Sequence, residues 1–340
     1  MKGARFRSRG PQGQARVPHF ARAARTPSSA ISYRWFVAPK HGLDEVTKAK
    51  VLLVLLALVW GLSWPIMTIA LAEISVWTLR VLGFSLSALS LFALIRLQGR
   101  SAAIPRGVTW LHIVAASLFN VVGFGLFSSF ALLTATTSRV VIVNYSMPIW
   151  ASLMAWLILG ERLSTRAVIG LVLCVSGLSV LVYPVATEQS AAGLLLALCC
   201  ALSWAAGTVY MKWARMSGDL LAITAWQIAL GAVVFGVGLL LFHGMPAPAA
   251  VSLKAVLAVV YNGLIGTGFA YILWFAIIER LPTATASLGS LATPVVGVSG
   301  SMLMLGERPT TADMIGFALI FAAAVCVLMQ PGRRAAAQTP

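Results

Sequence analysis

The stretch PIWASLMAWLILGER, residues 148–162, has a second and altered copy, PVVGVSGSMLMLGER, residues 294–308. Both copies begin with a proline, continue through ten residues that are mostly apolar, and end in Leu-Gly-Glu-Arg. The two copies lie 146 positions apart in a chain of 340 residues. A segment repeated at that distance predicts that the chain contains two versions of one structural unit.

Other short segments recur in both halves of the chain and support the same division. The matched segments are Leu62-Ser63-Trp64 with Leu202-Ser203-Trp204, Phe119-Asn120 with Tyr261-Asn262, and Gly170 with Gly316. We therefore predict a first repeat over residues 51–184 and a second over 191–330, with a tail at 1–50 and a short tail at 331–340.

The composition places both repeats in a membrane. Hydrophobic residues make up 59% of the chain and charged residues only 10%, whereas a soluble domain carries about 25% charged residues. Apolar runs long enough to cross a bilayer as helices occur at 51–71, 76–97, 109–132, 138–159, 166–184, 191–213, 219–243, 253–278, 283–304 and 311–330. The predicted fold is an all-α integral membrane protein with ten transmembrane helices.

Each repeat contains five of these runs. Because five is odd, the second repeat enters the membrane upside down relative to the first. The expected architecture is a 5+5 inverted-topology repeat. Such repeats are typical of secondary transporters, whose substrate sites lie near mid-membrane between the two halves.

The basic residues predict the orientation. With the N-terminus inside, twelve Lys and Arg lie near span ends on the inner side and four on the outer side. Basic loops favour the cytoplasm, so we expect both termini there. The net charge of +16 divides into +9 in residues 1–50 and +7 in the rest. In the rest the charges cluster between the apolar runs, which fits membrane topology better than nucleic-acid binding. Residues 1–40 resemble a transit peptide in composition. Two other interpretations are open: a disordered cytoplasmic tail that touches anionic lipid, or sequence that lies upstream of the true start near Val46.

The sequence resembles the EamA-type transporters of the drug/metabolite transporter superfamily. The resemblance rests on Trp60-Gly61-Leu62-Ser63-Trp64-Pro65, on Arg80 in helix 2, and on the two blocks that end at Arg162 and Arg308. It implies a ten-helix carrier of a bacterial-type inner membrane, often an exporter of amino acids, metabolites or toxic compounds. It does not identify the substrate. Arg139 departs from the family pattern, because that stretch of the repeat is usually small and apolar. The matching position in the second repeat is Thr285.

Polar and aromatic side chains inside the predicted spans are the candidates for a substrate path, because lipid-facing positions do not tolerate polar groups. The candidates are Trp60, Ser63, Trp64, Asn120, Arg139, Asn144, Tyr145, Trp204, Tyr261, Asn262, Ser290 and Thr293. Alternative roles remain open for each: an amide can join helices by a hydrogen bond, and a Trp can anchor at the membrane interface.

Arg139 and the two prolines carry separate hypotheses. Arg139 can bind a substrate carboxylate or phosphate, snorkel to the surface, or pair with Glu73 or Glu188. Pro148 and Pro294 lack an N–H, so each removes the helical partner of a carbonyl four residues earlier. We expect helix breaks there that act as hinges, although proline kinks are also common in membrane helices without such a role. The Gly-Glu-Arg segments should end helices and anchor them.

The sequence offers no sign of catalysis. No carboxylate lies at the centre of a predicted span, and no P-loop, metal motif or nucleophile–base set occurs. We therefore predict a transporter without cofactor or metal, not an enzyme, whose partners are a small-molecule substrate and the bilayer. A homodimer is left open. The competing functions are a passive channel, a lipid scramblase and, last, an intramembrane enzyme.

Overall fold

The computed structural model of the chain describes residues 45–104, 107–185, 190–216, 218–242, 251–278, 280 and 290–329. These residues contain helices and no strand. Nine of the helices are long and apolar enough to cross a membrane, and one is shorter. In chain order they are α1 Glu45–Leu71, α2 Val76–Leu97, α3 Thr109–Thr134, α4 Thr137–Leu159, α5 Thr165–Val182, α6 Ser190–Ala214, α7 Leu220–Phe242, α8 Leu253–Ile278, α9 Ala292–Leu305 and α10 Thr311–Leu328.

Short connections such as residues 72–75 and 160–164 join successive helices, which therefore run in opposite directions. Contacts between helix ends agree with this. Glu307, just after α9, meets Thr137 at the start of α4. Arg100, after α2, pairs with Asp219, before α7. Both ends of the described chain, residues 45 and 329, therefore lie on one face, which we name the terminal face. The other is the opposite face.

The inverted repeat is visible in the way the helices pair. The helix that opens each half packs against two helices of the other half: α1 lies against α8 and α9, and α6 lies against α3 and α4. Matched helices also pair with each other, α2 with α7 and α5 with α10. The predicted 5+5 inverted repeat of an all-α membrane protein is confirmed.

Glycines allow the matched helices α5 and α10 to approach closely. A Cβ added at Gly170 would lie 3.0 Å from the backbone oxygen of Ala323, and one added at Gly177 would lie 3.1 Å from that of Gly316. Small residues at such places bring backbones together in membranes, where dispersion forces and hydrogen bonds replace the hydrophobic effect. The pairing of α5 with α10 therefore follows from the repeated glycines.

The helices near the centre of the bundle are interrupted at matched places. Leu118–Gly123 in α3 and Tyr261–Phe269 in α8 are π-helical. The α4 helix stops after Asn144 and restarts at Met147 with Pro148 in its first turn. Pro294 likewise lies in the first turn of α9. The repeat thus places irregular backbone, a frequent feature of functional sites, in both halves.

The ends of the helices carry ordinary caps. Ser75, Ser164, Ser252 and Thr310 accept hydrogen bonds from backbone N–H groups at the starts of α2, α5, α8 and α10. Gly160 and Gly306 end α4 and α9 in the left-handed conformation that glycine adopts without strain. These caps satisfy backbone groups where the helices leave the apolar region.

Candidate functional site

Three of the predicted path residues, Trp64, Tyr145 and Thr293, meet between α1, α4 and α9, and Asn144 directly precedes Tyr145 on α4. Asn144 on α4 is 2% exposed and Thr293 on α9 is fully buried. Tyr145 lies beside Thr293 and Trp64, and the Trp64 ring has an edge contact with Phe124, with 6.3 Å between centroids. Two aromatic rings, an amide and a hydroxyl therefore share one interior region that draws on both halves.

Polar oxygens lack partners both in this region and at a separate place on α3, around Asn120. Among the described residues, three buried side-chain oxygen or nitrogen atoms have no hydrogen bond: Asn120 Oδ1, Asn144 Oδ1 and Thr293 Oγ1. An unsatisfied buried acceptor costs about 1–3 kcal/mol. All three belong to predicted path residues, and they lie on α3, α4 and α9. In this conformation these oxygens make no hydrogen bond of normal geometry, although the Tyr145 hydroxyl lies close to Thr293 Oγ1.

The Asn120 site lies on the π-helical segment of α3. The amide nitrogen of Asn120 donates to Gln227 Oε1 on α7 and to Met211 Sδ on α6, both at 3.3 Å. Gly207 on α6 is so close that an added Cβ would collide with the Asn120 amide. Asn120 is therefore held by neutral groups of the second half, and its oxygen stays unpaired.

The Asn262 site is the matched place on α8. The Asn262 amide nitrogen donates to Ala258 O at 3.0 Å, and the neighbouring Tyr261 hydroxyl donates to Val59 O on α1 at 3.0 Å. A small pocket, with a volume of about 20 Å³, lies beside Asn262. Its lining residues are Met67, Leu79, Arg80, Gly83, Phe84, Asn262 and Thr267.

Arg80 is buried one turn inside α2 and is 9% exposed. Its Nε donates to Ser129 Oγ at 2.7 Å and to Gly125 O at 3.1 Å, while its Nη2 donates to Ser128 Oγ at 2.7 Å. The guanidinium also lies 5.4 Å from the centre of the Phe84 ring. A cation inside the bundle is thus held by hydroxyls and a carbonyl of α3.

Arg139 has a partner that the sequence did not suggest. Its Nε lies 2.6 Å from Asp313 Oδ1 on α10, and the two side chains are 14% and 6% exposed. Glu73, one expected partner, instead accepts hydrogen bonds from Ser252, which hold the pKa of Glu73 below its usual value. Glu188, the other, lies outside the described residues. The expected pairing with Glu73 is therefore wrong.

The remaining predicted residues are dispersed. Trp60 packs on Trp274, with 6.0 Å between ring centroids, and Ser63 donates to Val59 O at 2.7 Å. Trp204 is half-buried on α6. The backbone carbonyl oxygen of Ser290 accepts a hydrogen bond from the backbone N–H of Thr293 at 3.0 Å. The structure places these residues around the centre but not in the cluster with Asn144.

Sequence reasoning missed Gln227, Asp313 and the role of Glu307. Glu307 accepts hydrogen bonds from the Thr137 N–H at 2.6 Å, the Ser138 N–H at 2.8 Å and the Ser138 hydroxyl at 2.5 Å. Gln227 was visible as the one amide within the apolar run 219–243. The partners of Glu307 and Asp313 are distant in sequence and carry no local signal.

Comparison with known proteins places this fold among transporters. The model of the family described as the EamA-like transporter family matches residues 47–183 and 191–329. A Bacillus subtilis protein named as the uncharacterized transporter YoaV is 26% identical, over 77% of this chain and 90% of its own length. A "probable amino-acid metabolite efflux pump" of Escherichia coli is 25% identical, over 80% and 92%.

Two further similarities extend the comparison. An uncharacterized Pseudomonas aeruginosa protein, PA1977, is 31% identical over 69% of this chain and 80% of its own length. One solved crystal structure of a protein aligns with a TM-score of 0.59 and 23% identity, over 82% of this chain and 96% of the other; it supports the fold alone. Because the family model covers both halves, the chain belongs to the EamA-like transporter family.

Proposed function

We propose that this EamA-like transporter is a secondary transporter that exports a small metabolite, an amino acid or a drug-like compound by alternating access between its halves. The inverted repeat supports this mechanism, because such repeats exchange the openings on the two membrane faces around a central site. Export is supported by the relatives in Escherichia coli and Salmonella typhimurium that are named probable amino-acid metabolite efflux pumps.

The observation that carries the proposal is the set of three unpaired buried oxygens on Asn120, Asn144 and Thr293. A membrane protein gains nothing in stability from acceptors that it leaves unsatisfied. A substrate with N–H or O–H groups, or water that moves with it, supplies the missing donors. The aromatic rings of Trp64 and Tyr145 beside Thr293 offer apolar surface to the rest of such a compound.

A carrier accounts for the contacts on the opposite face better than a channel or scramblase does. Glu307 of the second half bonds to α4 of the first, and Arg139 of α4 pairs with Asp313 of α10. These contacts join the halves on the opposite face, and Arg100–Asp219 and Glu161–Lys212 join them on the terminal face. A carrier must make and break such contacts in each cycle, whereas a passive channel or a lipid groove needs an opening at both faces.

The proposed setting is a bacterial-type inner membrane with both termini in the cytoplasm. The terminal face carries Arg96, Arg100, Arg162 and Lys212, and basic residues favour the cytoplasmic side. Accessibility of single cysteines placed beside Arg96 and beside Glu73 to a membrane-impermeant thiol reagent in intact cells tests the orientation. Only the second should react from outside.

Transport is tested with the full chain in proteoliposomes. Labelled amino acids and cationic drugs are offered outside, with and without an unlabelled counter-substrate inside. Saturable uptake that the internal compound accelerates supports a carrier, and non-saturable uptake indifferent to it supports a channel. Lipid transfer without solute flux supports a scramblase.

Thr293→Val with Ser301→Ala as its control ties the flux to the unpaired oxygens. Thr293 Oγ1 has no partner, whereas Ser301 Oγ, buried on the same helix, donates to Gly297 O at 2.8 Å. We expect Thr293→Val to leave the thermal midpoint unchanged or raised and to cut counterflow about tenfold, since one hydrogen bond to a charged group contributes about 1.5–3 kcal/mol. Ser301→Ala should leave counterflow near wild type. Equal flux in both variants would contradict a substrate role for Thr293.

A further inference from the structure

We propose that Arg80 on α2, with Thr267 and Asn262 on α8, forms a subsite that binds the carboxylate of the transported compound, and that the matched site around Asn120 is neutral. The inference rests on the proposed transport function and names the chemical class of its substrate: compounds that carry a free carboxylate. It gives a role to a cation that lies outside the cluster around Asn144 and Thr293.

Arg80 has unused hydrogen-bonding capacity. Its Nε and Nη2 donate to Gly125 O, Ser129 Oγ and Ser128 Oγ. Within the part of the chain that the structure describes, its Nη1 has no hydrogen-bond partner. A guanidinium offers five N–H donors in a planar fork that matches a carboxylate. The contacts with α3 use the Nε and Nη2 sides of the guanidinium, so the N–H groups of Nη1 remain available to a ligand.

The charge of Arg80 is also uncompensated. The ion pairs between described residues are Arg100–Asp219, Arg139–Asp313 and Lys212–Glu161, and none includes Arg80. Hydroxyl and carbonyl dipoles reduce the cost of a buried cation but do not cancel its charge. Ionisable residues inside membranes pair with each other or line substrate pathways. For Arg80 the missing anion is one that arrives from outside the protein.

The pocket provides the space and a second donor. Arg80, Asn262 and Thr267 line it together with the apolar Met67, Leu79 and Phe84. Among the described residues, the Thr267 hydroxyl makes no hydrogen bond and is free to donate. Asn262 donates one amide hydrogen to Ala258 O and has a second one to give to a carboxylate, whereas its amide oxygen only accepts and suits an N–H of the ligand. With about 20 Å³ the pocket takes only the carboxylate end of a compound, which would receive hydrogen bonds from Arg80 and Thr267 beside Met67 and Phe84, while the rest of the compound lies outside it.

The site around Asn120 is matched to the one around Asn262 but has no cation, which indicates that the charge of Arg80 serves a purpose other than joining helices. Opposite Asn120 stands Gln227, in hydrogen-bond contact, whereas opposite Asn262 stands Arg80, across the pocket. The Asn120 site is neutral, and Gly207 packs directly on it. If Arg80 only joined helices, a neutral amide would serve as it does at Gln227. The path therefore has a charged site beside Asn262, which favours an anionic group, and a neutral site beside Asn120, which does not.

The test measures the thermal midpoint of the purified full chain with leucine, methionine and phenylalanine and with their C-terminal amides, which keep the ammonium group and lose the carboxylate. Ligands that bind only the folded state raise the midpoint. We expect stabilisation by the acids and not by the amides. Arg80→Gln should weaken the response to the acids about 10- to 100-fold, the loss expected for a charged hydrogen bond, and Arg80→Lys should restore part of it.

The control is Arg96→Gln, the same change at an exposed position on the same helix, which should respond like wild type. Thr267→Val probes the pocket without removing charge and should weaken the acid response if Arg80→Gln does not fold. Equal stabilisation of the wild-type chain by acids and amides, or stabilisation by neither, overturns the carboxylate subsite.

Transport and lipid binding give two further outcomes that bear on the subsite. Counterflow of amides or cationic drugs without counterflow of acids would leave the transporter standing and overturn the subsite. A short-chain phosphatidate that stabilises the protein in an Arg80-dependent way, where the acids do not, would mean that the cation binds a lipid phosphate instead. Counterflow of acids that Arg80→Gln abolishes and Arg96→Gln preserves would support the subsite directly.

Discussion

At Gly160 and at Gly306 the chain leaves a helix in the same way, with φ of 67° and 68° and ψ of 19° in both copies. The glutamates that follow have different partners. Glu307 accepts three hydrogen bonds from Thr137 and Ser138 at the start of α4. Glu161 pairs with Lys212, and these two side chains are 46% and 62% exposed.

The difference teaches that the repeated motif determines the backbone but not the partner. A glycine in the left-handed conformation ends each helix because of local geometry, so both copies agree there. What the glutamate meets depends on the inverted arrangement, which puts Glu307 on the opposite face and Glu161 on the terminal face. In this structure the halves are joined at the opposite face through one copy of the motif, and the other copy makes only an exposed ion pair.

The largest expected effect comes from the pair that only one half has. Arg139 and Asp313 correspond to Thr285 and Ala167 at the matched positions. We expect Asp313→Ala to lower the free energy of unfolding by about 3–5 kcal/mol, because it leaves the buried Arg139 unpaired. The Asp313 carboxylate also bonds to Thr310 at the start of α10, which adds to the loss. Chemical unfolding of the purified protein measures the difference.

The double variant Arg139→Thr with Asp313→Ala, which copies the matched residues, tests whether the unpaired charge is the cause. It should be more stable than Asp313→Ala alone, since removing both charges removes the buried unpaired one. A double variant no more stable than the single one would mean that the loss arises from the Thr310 contact and the packing around it.

The next comparison is Glu307→Gln against Glu161→Gln. Glu307 accepts bonds at the N-terminus of a helix, where a negative charge is favoured, so its loss should cost about 1.5–3 kcal/mol. Glu161 forms an exposed pair, for which about 0–1 kcal/mol is usual. Thermal unfolding of both variants measures the difference. Equal losses in the two variants would mean that Glu307 and Glu161 contribute equally to stability. That result would contradict the importance of the three hydrogen bonds that Glu307 accepts.

Gly207→Ala sharpens the comparison between the two asparagine sites. A methyl group at Gly207 would collide with the Asn120 amide, whereas one at Gly236 on α7 would meet nothing within 4 Å. We expect Gly207→Ala to cost about 1–3 kcal/mol through overpacking, and Gly236→Ala to be neutral or stabilising by up to about 1 kcal/mol. A stable Gly207→Ala variant would mean that Asn120 moves freely and that its contact with Gln227 contributes little.

Much of this architecture could be predicted because hydropathy and repeats are local properties. The apolar runs gave ten helices, and the matched prolines and LGER segments gave the inverted halves. The boundaries were less accurate: α1 begins at Glu45 and not at residue 51, since polar residues at a helix end can extend beyond the lipid. The predicted run 283–304 falls partly outside the described residues, and the helix there begins at Ala292.

The contents of the site were harder to predict because they depend on tertiary contacts. The sequence singled out Asn120 and Asn262 as a matched pair, but nothing in it indicated that each lies on a π-helical segment. A π-helical segment changes the hydrogen-bond pattern and leaves no mark in the apolar periodicity. Gln227 and Arg80 became their neighbours only when α7 and α2 packed. The hinge role of Pro148 and Pro294 stays a prediction.

The smallest expected effect concerns a second carboxylate that binds at a helix start on the opposite face. Glu73 accepts bonds from the Ser252 N–H at 2.8 Å and from the Ser252 hydroxyl at 2.6 Å, just before α8. This resembles the contact between Glu307 and α4, but Glu73 is exposed to water, which weakens the interaction. The comparison between Glu73 and Glu307 therefore separates the effect of burial from that of the contact itself.

The sign of the pH dependence follows from the pKa. Ser252 holds the pKa of Glu73 below its usual value, so the folded state favours the ionised carboxylate. The stabilisation is complete above the pKa of the unfolded chain, about 4.3 for a glutamate, and is lost as the pH falls through the lower folded pKa. We expect the thermal midpoint of Glu73→Gln to lie slightly below wild type at about pH 7 and to approach it as the pH falls below about 4.3. A gap that stays constant between these pH values would mean that the carboxylate charge plays no part and that the amide forms the same contact less well.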